Sequence, residues 1–252
     1  MYKYKILSIF IAMALMFSFF TCGVSAKILF KDDFESSTIG KPPDNWKNIG
    51  PPTGYAGGGL SVVDKDPLDA NNKVFNIIPK AQDTNSHTLW AVHDGDKSWV
   101  NYVWEFDWLF PEDNYCPVAF RIVDKDQFCQ VSRRPGGSEF HIYQHTAAAW
   151  NELRKFTFKN EALKWYRVQI SVKDDKFTFK IKDRDDRTPF AKMNEPDILS
   201  NAQVGQLYPS GGIAAQEGYI GMLDNVIVGE TENDILAVES KGKLAVCWGM
   251  LK

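Results

Sequence analysis

Hydrophobic and polar residues alternate over most of the chain, a spacing typical of β-strands with one buried face. Turn formers such as Asp124–Asp126 and Pro135–Gly137 separate the alternating segments. Strands are predicted at Ser61–Val63, Lys73–Ile78, Thr88–Val92, Tyr102–Phe110, Val118–Val123, Phe128–Ser132, Glu139–His145, Phe156–Phe158, Trp165–Val172, Lys176–Lys182 and Tyr219–Val228. Helical patterning occurs at Ala147–Lys155, with a weaker signal at Glu232–Glu239. Many short strands without alternating helices predict an all-β domain, an antiparallel sandwich or barrel.

The loops between the central strands suggest how those strands pair. Four-residue loops at Asp124–Gln127 and Pro135–Ser138 would place Arg121 and Tyr143 on either side of Gln130. Because side chains alternate between faces, one face collects the apolar residues Val118, Phe120, Ile122, Cys129, Val131, Phe140 and Ile142. The other face is polar and aromatic, and it collects Arg121, Gln130, Ser132, His141 and Tyr143. This second face is the candidate binding surface.

The strand before these three adds two acidic residues to the same surface. If Cys116 pairs with Phe110, then Glu105 and Asp107 join the polar face, with Glu105 opposite Arg121. A slip of one residue would bury both acids without partners, which is costly. We therefore expect Glu105 and Asp107 to face the ligand.

The N-terminus has the pattern of a secretory signal peptide. Lys3 and Lys5 precede an apolar stretch at 6–20, and small residues at Val24–Ala26 favour cleavage after Ala26. A membrane anchor is the alternative, but the stretch is short for a bilayer span. The prediction is a secreted or periplasmic protein that has no membrane partner once residues 1–26 are removed.

The remaining chain divides into one domain and a tail. Neither a repeat nor a linker interrupts residues 27–230, which we expect to form a single sandwich, and residues 231–252 form a C-terminal extension of unknown role. Three cysteines follow the leader: Cys116, Cys129 and Cys247. The predicted pairing implies no bond between Cys116 and Cys129, so buried free thiols are expected.

Composition narrows the class of partner. The 252 residues are 44% hydrophobic and 13% aromatic, which excludes a disordered chain, and the net charge is -3. A nucleic-acid-binding protein would normally carry a basic stripe. We therefore expect no nucleic-acid partner.

Three groups of motifs resemble one superfamily. Phe30–Glu35 with Gly40 and Trp46 resembles the opening of concanavalin A-like lectin/glucanase domains, including laminin-G-like modules of secreted bacterial proteins. Trp165–Ile181 is similar to the paired late strands of these domains, and Gly218–Val228 to their closing strand. The resemblance extends from Ile28 to about Gly229. It implies a two-sheet antiparallel jelly-roll β-sandwich whose concave face commonly contacts carbohydrate, although fold does not settle function.

The first functional hypothesis is a carbohydrate-binding or adhesion module without catalytic activity. Its partner would be a polysaccharide or a cell-surface glycan, because sugar rings stack on aromatic side chains while polar groups bind the hydroxyls. The predicted binding residues are Glu105, Asp107, Arg121, Gln130, His141 and Tyr143. Trp90, Trp99 and Trp150 lie near loops and are rim candidates, with burial in the core as the alternative.

Two enzymatic hypotheses use the same fold. Family glucanases carry a Glu-x-Asp-x-Glu strand, but Leu109 replaces the last acid after Glu105 and Asp107, which removes the proton donor. A distant similarity to the 3-keto-disaccharide hydrolase domain keeps hydrolysis open. A polysaccharide lyase would use the Tyr, His, Arg and Gln of the polar face for proton abstraction, but the characteristic lyase motifs are absent.

A structural calcium ion is a further expectation that the resemblance suggests. Such domains often hold one where the first and last strands meet, and Asp33, Glu35 and Asp224 could supply oxygen ligands there. The alternative is that these acids only cap strand ends and turns. No other cofactor is required.

Overall fold

The computed structural model describes residues 26–79, 87–92, 98–147, 149–174, 176–193, 198–203 and 208–238. These residues form fifteen strands, a 3-10 turn at Phe190–Lys192 and one helix, α1, at 232–238. The strands are β1 Ile28–Asp32, β2 Trp46–Gly50, β3 Val62–Lys65, β4 Lys73–Ile77, β5 Leu89–Val92, β6 Tyr102–Leu109, β7 Cys116–Asp124, β8 Gln127–Arg133, β9 Glu139–Thr146, β10 Ala149–Thr157, β11 Trp165–Lys173, β12 Lys176–Asp183, β13 Ile198–Gln203, β14 Gly212–Gln216 and β15 Gly221–Gly229.

Two antiparallel sheets pack face to face and confirm the predicted jelly-roll sandwich. The first sheet has the order β13-β12-β11-β6-β15-β4-β3, and β1 pairs with the C-terminal half of β15. The second sheet has the order β10-β9-β8-β7-β14-β5-β2. Each sheet therefore has an inner face in the core and an outer face toward solvent.

Aromatic side chains dominate the core between the sheets. Along β6, Trp104, Phe106 and Trp108 point inward, and the rings of Trp104 and Phe106 stack with centroids 4.3 Å apart. Of the apolar face predicted from the sequence, Ile122 alone lies outside this core, in a small cluster that includes Ala119. The alternating pattern was thus a sound guide to which residues enter the core between the sheets.

A bulge in β7 explains the exception and corrects the predicted pairing. Arg121 has a left-handed backbone with φ 53°, and the register of β7 against β8 shifts between Phe120 and Asp124. The expectation that Arg121 lies opposite Gln130 is wrong, because Ala119 occupies that position. The predicted pairing of Gln130 with Tyr143 in β9 is confirmed.

The bulge directs the Arg121 side chain into the protein rather than toward a ligand. The side chain is 0% exposed, and its guanidinium donates hydrogen bonds to the carbonyl oxygens of Pro209 (2.6 Å) and Asp174 (2.9 Å). Its backbone N–H donates to the Tyr102 hydroxyl at 3.1 Å. Arg121 therefore ties together segments that are far apart in the sequence.

The expected pairing of β6 with β7 is also wrong. β6 lies in the first sheet between β11 and β15, and the chain crosses to the second sheet before Cys116. Glu105 and Asp107 consequently lie on the outer face of the first sheet, on the side of the sandwich away from Gln130. A connection of this length can close a hairpin or cross between sheets, so loop length alone did not distinguish the two.

The predicted helix at Ala147–Lys155 is a strand. Most of this segment belongs to β10, which pairs with β9 and places Trp150 opposite His145. Helix formers such as Glu152 and Leu153 adopt the extended form because edge pairing outweighs their weak intrinsic preference.

The helical signal at Glu232–Glu239 corresponds to α1. Thr231 and Asp234 exchange hydrogen bonds at its N-terminus, and Asp234 also accepts one from the Lys27 backbone N–H at 3.0 Å. Ile235 is buried against Val103 and Ile227. The first turns of the predicted extension therefore pack on the sandwich.

Two cysteine expectations are confirmed, and several predictions fall outside the described residues. Cys116 and Cys129 are buried free thiols, and Trp108 Nε1 donates to Cys116 Sγ at 3.0 Å. Burial raises the pKa of both thiols to about 12. Residues 1–25, which hold most of the predicted signal peptide, and residues 239–252, which include Cys247, are not among the described residues. Among those that are, no helix has the length and apolarity needed to cross a bilayer.

Because the contacts of Arg121 are internal, replacing it should lower the stability of the protein without abolishing ligand binding. Arg121→Lys should lower the free energy of unfolding by about 2 to 3 kcal/mol, because one ammonium cannot satisfy carbonyls of two separate segments. Urea unfolding measures the effect, and Arg187→Lys, at an exposed position, serves as the matched control. Equal stability of the two variants would contradict this role.

Candidate functional site

A cleft of about 320 Å³ opens on the outer face of the second sheet. Its lining comes from β7, β8, β9 and β10, from the residues directly before β7 and after β8, and from the loops that precede β5 and follow β14. The lining residues are His87, Tyr115, Pro117, Gln130, Ser132, Arg134, Tyr143, Trp150, Gly218 and Tyr219. The cleft thus combines five ring-bearing side chains other than proline with three polar or charged side chains and little aliphatic surface.

The floor of the cleft is rigid because it is built on paired strands. Pro117 lies opposite Ser132, and Gln130 lies opposite Tyr143. Gln130 is only 6% exposed, and its Oε1 atom accepts no hydrogen bond from the described residues. A buried carbonyl oxygen without a donor is costly, so this atom is suited to accept a hydrogen bond from a ligand.

One wall of the cleft is a cluster of rings around Trp150. Its ring lies edge-on to Tyr143 at 6.1 Å and tilted against His87 at 5.9 Å between centroids. Trp150 Nε1 donates to the Tyr55 hydroxyl at 2.5 Å, and His145 packs against the Trp150 ring at 4.2 Å. These contacts hold the indole in place without covering all of it.

The opposite wall is a stack of two tyrosines and an arginine. The rings of Tyr115 and Tyr219 stack with centroids 5.2 Å apart, and the Arg134 guanidinium carbon lies 4.3 Å from the Tyr115 centroid. Cation–π contact of this kind positions the guanidinium at low entropic cost. The wall therefore presents a positive charge beside aromatic surface.

A charged cluster borders the Tyr143 side of the cleft. His141 Nδ1 lies 2.9 Å from Glu152 Oε2 and 3.1 Å from the Tyr143 hydroxyl, and its Nε2 lies 3.2 Å from Glu139 Oε2. The hydrogen bond to His141 lowers the pKa of Glu139, whereas burial raises the pKa of Tyr143. His141 thus positions the Tyr143 hydroxyl from outside the lining of the cleft.

The predicted binding residues separate into two groups. Gln130 and Tyr143 line the cleft and His141 contacts Tyr143, whereas Arg121, Glu105 and Asp107 lie elsewhere. Of the three candidate rim tryptophans, Trp150 lines the cleft, and the other two belong to the core between the sheets. Sequence reasoning missed His87, Tyr115, Arg134 and Tyr219. These residues lie in loops or at a strand end, where alternation carries no information.

Glu105 and Asp107 form a separate polar network on the first sheet. Arg167 donates to Glu105 at 3.1 Å and to Asp107 at 3.2 Å, and Gln169 donates to Glu105 at 2.9 Å. Burial raises the pKa of Asp107 despite the nearby Arg167. Both carboxylates are engaged within the protein and neither lines the cleft.

The three predicted calcium ligands do not share one site. Glu35 accepts a hydrogen bond from the Lys73 backbone N–H at 2.9 Å, and Asp33 lies 4.0 Å from the Lys31 ammonium. Asp224 accepts from the Asn72 side chain at 2.9 Å. The described residues contain no group of three or more His, Cys, Asp or Glu placed to hold a metal ion. The calcium ion stays a prediction without a gathered ligand set.

Comparisons of sequence find no match, whereas comparisons of structure find proteins with a similar fold. No protein-family model matches this chain, and no curated protein sequence matches it. The CBM2 module of the evolved Dit of Lactobacillus casei BL23 phage J-1 is similar, with 11% identity and TM-score 0.52 over 81% of this chain and 95% of the module.

Two further structures have the same architecture. Domain 4 of AbnA, a GH43 extracellular arabinanase from Geobacillus stearothermophilus solved with arabinotriose, has 12% identity and TM-score 0.51 over 84% of this chain and 97% of that domain. A Bacillus subtilis protein of unknown function with a galectin-like fold has 9% identity and TM-score 0.50, covering 82% and 97% of the two chains. At these identities the likeness establishes the fold.

The burial of Asp224 predicts a pH-dependent stability. Desolvation raises its pKa from 3.8 to about 6, so the folded state binds its proton more tightly than the unfolded state. The contribution of Asp224 to stability should therefore fall by about 3 kcal/mol as the pH rises from about 3 to about 7.

The measurement is the difference in the free energy of unfolding between the unsubstituted protein and Asp224→Asn, followed across this pH range. Taking the difference cancels the other titrating groups, including His145, whose pKa is lowered by burial. A difference that does not vary with pH would show that the pKa of Asp224 is the same in the folded and unfolded states.

Proposed function

We propose that this protein is a secreted or periplasmic carbohydrate-binding or adhesion module, and that it binds a polysaccharide or cell-surface glycan in the cleft of the second sheet. The observation that carries the proposal is a buried, unpartnered Gln130 carbonyl on a floor between two aromatic walls. Apolar ligands would leave that carbonyl unsatisfied, and small ions would leave the rings unused.

The chemistry of a sugar matches both features. The C–H face of a pyranose or furanose ring is apolar and packs on aromatic rings such as Trp150 and Tyr219, while its hydroxyls can donate to Gln130 Oε1. The hydroxyl groups of Tyr143 and Ser132, which also line the cleft, can supply further polar contacts to the sugar. A volume of about 320 Å³ suits one or two sugar units and leaves the rest of a longer glycan outside.

Structural likeness supports a glycan as the partner. The arabinanase domain was solved with arabinotriose, and the phage module is a CBM2 module. Within the concanavalin A-like group, Phe30–Glu35 with Gly40 and Trp46 resembles the opening of domains that include laminin-G-like modules.

Binding is favoured over hydrolysis by the position of the acidic strand. Glu105 and Asp107, the carboxylates that correspond to the glucanase motif, are paired with Arg167 on the opposite side of the sandwich. Hydrolysis needs two carboxyl groups across one bond of a bound substrate. The 3-keto-disaccharide hydrolase-like alternative would therefore need acids other than this pair.

Removal of the Tyr143 side chain should abolish most glycan binding. Tyr143→Ala deletes a ring of one wall, and loss of a central aromatic contact costs about 2 kcal/mol, so the Kd should rise about thirtyfold. Affinity electrophoresis against soluble polysaccharides measures it, with the exposed Leu163→Ala as control. Unchanged retention of Tyr143→Ala would exclude this cleft as the site.

Gln130 should show opposite effects on stability and binding. Gln130→Met keeps the approximate volume and removes the unpartnered carbonyl, so the free energy of unfolding should rise by about 1 kcal/mol. The same change should weaken glycan binding about tenfold, because the ligand loses its acceptor. Thermal melting and titration calorimetry test the pair of effects. If Gln130→Met binds glycan with unchanged affinity, the Gln130 carbonyl does not accept a hydrogen bond from the ligand.

A further inference from the structure

Arg134 has a guanidinium that stacks on a tyrosine but is bound by no carboxylate of the described residues. It lines the cleft, is half-buried, and forms no ion pair or side-chain hydrogen bond with any of the described residues. Its contact is the face of Tyr115, at 4.3 Å from the guanidinium carbon to the ring centroid. A partly desolvated arginine that is not hydrogen-bonded to a carboxylate can donate its hydrogen bonds to an anionic ligand.

The neighbouring residue shows what a structural arginine looks like in the same hairpin. Arg133 is 1% exposed at its side chain and donates to Asn160 Oδ1 (2.6 Å), the Asn114 carbonyl (2.7 Å) and Asp113 Oδ1 (2.6 Å). Every nitrogen of that guanidinium has a partner. Alternation that continues one residue past the end of β8 directs Arg133 inward and Arg134 to the cleft. Arg133 therefore stabilises the hairpin, whereas Arg134 can contact a ligand.

The acid nearest in the strand pairing is already engaged elsewhere. The Arg134 backbone N–H donates to the Glu139 carbonyl across the hairpin, but the Glu139 carboxylate contacts His141 Nε2 at 3.2 Å. Glu152 is likewise held by His141 at 2.9 Å. The cleft is therefore polarised, with two carboxylates beyond Tyr143 on one side and the guanidinium on the Tyr115 side, where its charge acts on Glu139 without a direct ion pair.

We propose that the cleft is selective for acidic glycans and that Arg134 binds the carboxylate of a uronic acid residue. A guanidinium donates two parallel hydrogen bonds to a carboxylate, and stacking on Tyr115 fixes the orientation of the Arg134 guanidinium before the ligand binds. The same sugar unit would pack on Tyr219 and donate a hydroxyl to Gln130. The carboxylates near His141 would repel an acid turned the other way, which sets the orientation. This inference rests on the proposed glycan-binding function.

The experiment compares acidic sugars with neutral copies of the same sugars. Tetrasaccharides of galacturonate, glucuronate and mannuronate are each paired with the counterpart whose carboxyl groups have been reduced to alcohols. Calorimetry gives the Kd of every pair for the unsubstituted full chain, Arg134→Gln, Arg134→Lys and a control, Lys65→Gln, which removes a charge on the first sheet.

At least one acidic tetrasaccharide should bind about tenfold more tightly than its reduced counterpart, and high salt should weaken the acidic member alone. Arg134→Gln should abolish this preference, so that in this variant the acidic member binds no more tightly than its reduced counterpart. Arg134→Lys should keep part of the preference, and Lys65→Gln all of it.

Failure of the selectivity and failure of the function are distinguishable. Reduced tetrasaccharides that bind as tightly as the acidic ones, or a preference that survives in Arg134→Gln, would overturn the role of Arg134 and leave glycan binding intact. If neither member of any pair binds and the polysaccharides of the electrophoresis test are also not retained, the proposed function itself is wrong.

Discussion

Burial of every second side chain of β7, β8 and β9 in one aromatic core is the constraint on which the rest of the structure depends. Val131 and Ile142 point inward, so Gln130, Ser132 and Tyr143 must point outward. A slip of one residue would exchange the two sets and place polar groups among tryptophan and phenylalanine rings, which is strongly unfavourable. The floor of the cleft is thus a direct consequence of how the core is packed.

The cleft holds polar groups for which the described part of the chain supplies no hydrogen-bond partner. Elsewhere, Arg121 binds carbonyl groups of distant segments, although its Nε atom has no partner there, and Arg167 neutralises Glu105 and Asp107. In the cleft, a buried carbonyl and a half-buried guanidinium lack partners among the described residues. Local violations of polar satisfaction are expected where a ligand completes the hydrogen bonding.

The two predicted hairpins show how far sequence reasoning reached. The β8–β9 register was correct, because Pro135–Gly137 forms a short turn and the alternation on both sides is regular. The β7–β8 register failed because Arg121 adopts a left-handed conformation that is unusual for its residue type. Cross-strand pairing similarly outweighed the helix formers of β10.

The sequence by itself determined the all-β class, a two-faced central sheet and three residues that line the cleft, Gln130, Ser132 and Tyr143, because two-residue periodicity is a local property. Only the tertiary structure decided which strands share a sheet, since β6 could pair with its neighbour in sequence or cross to the other layer. It also brought Tyr115, Tyr219 and His87 to the rim from distant loops. Those positions depend on the packing of whole sheets, which no short segment encodes.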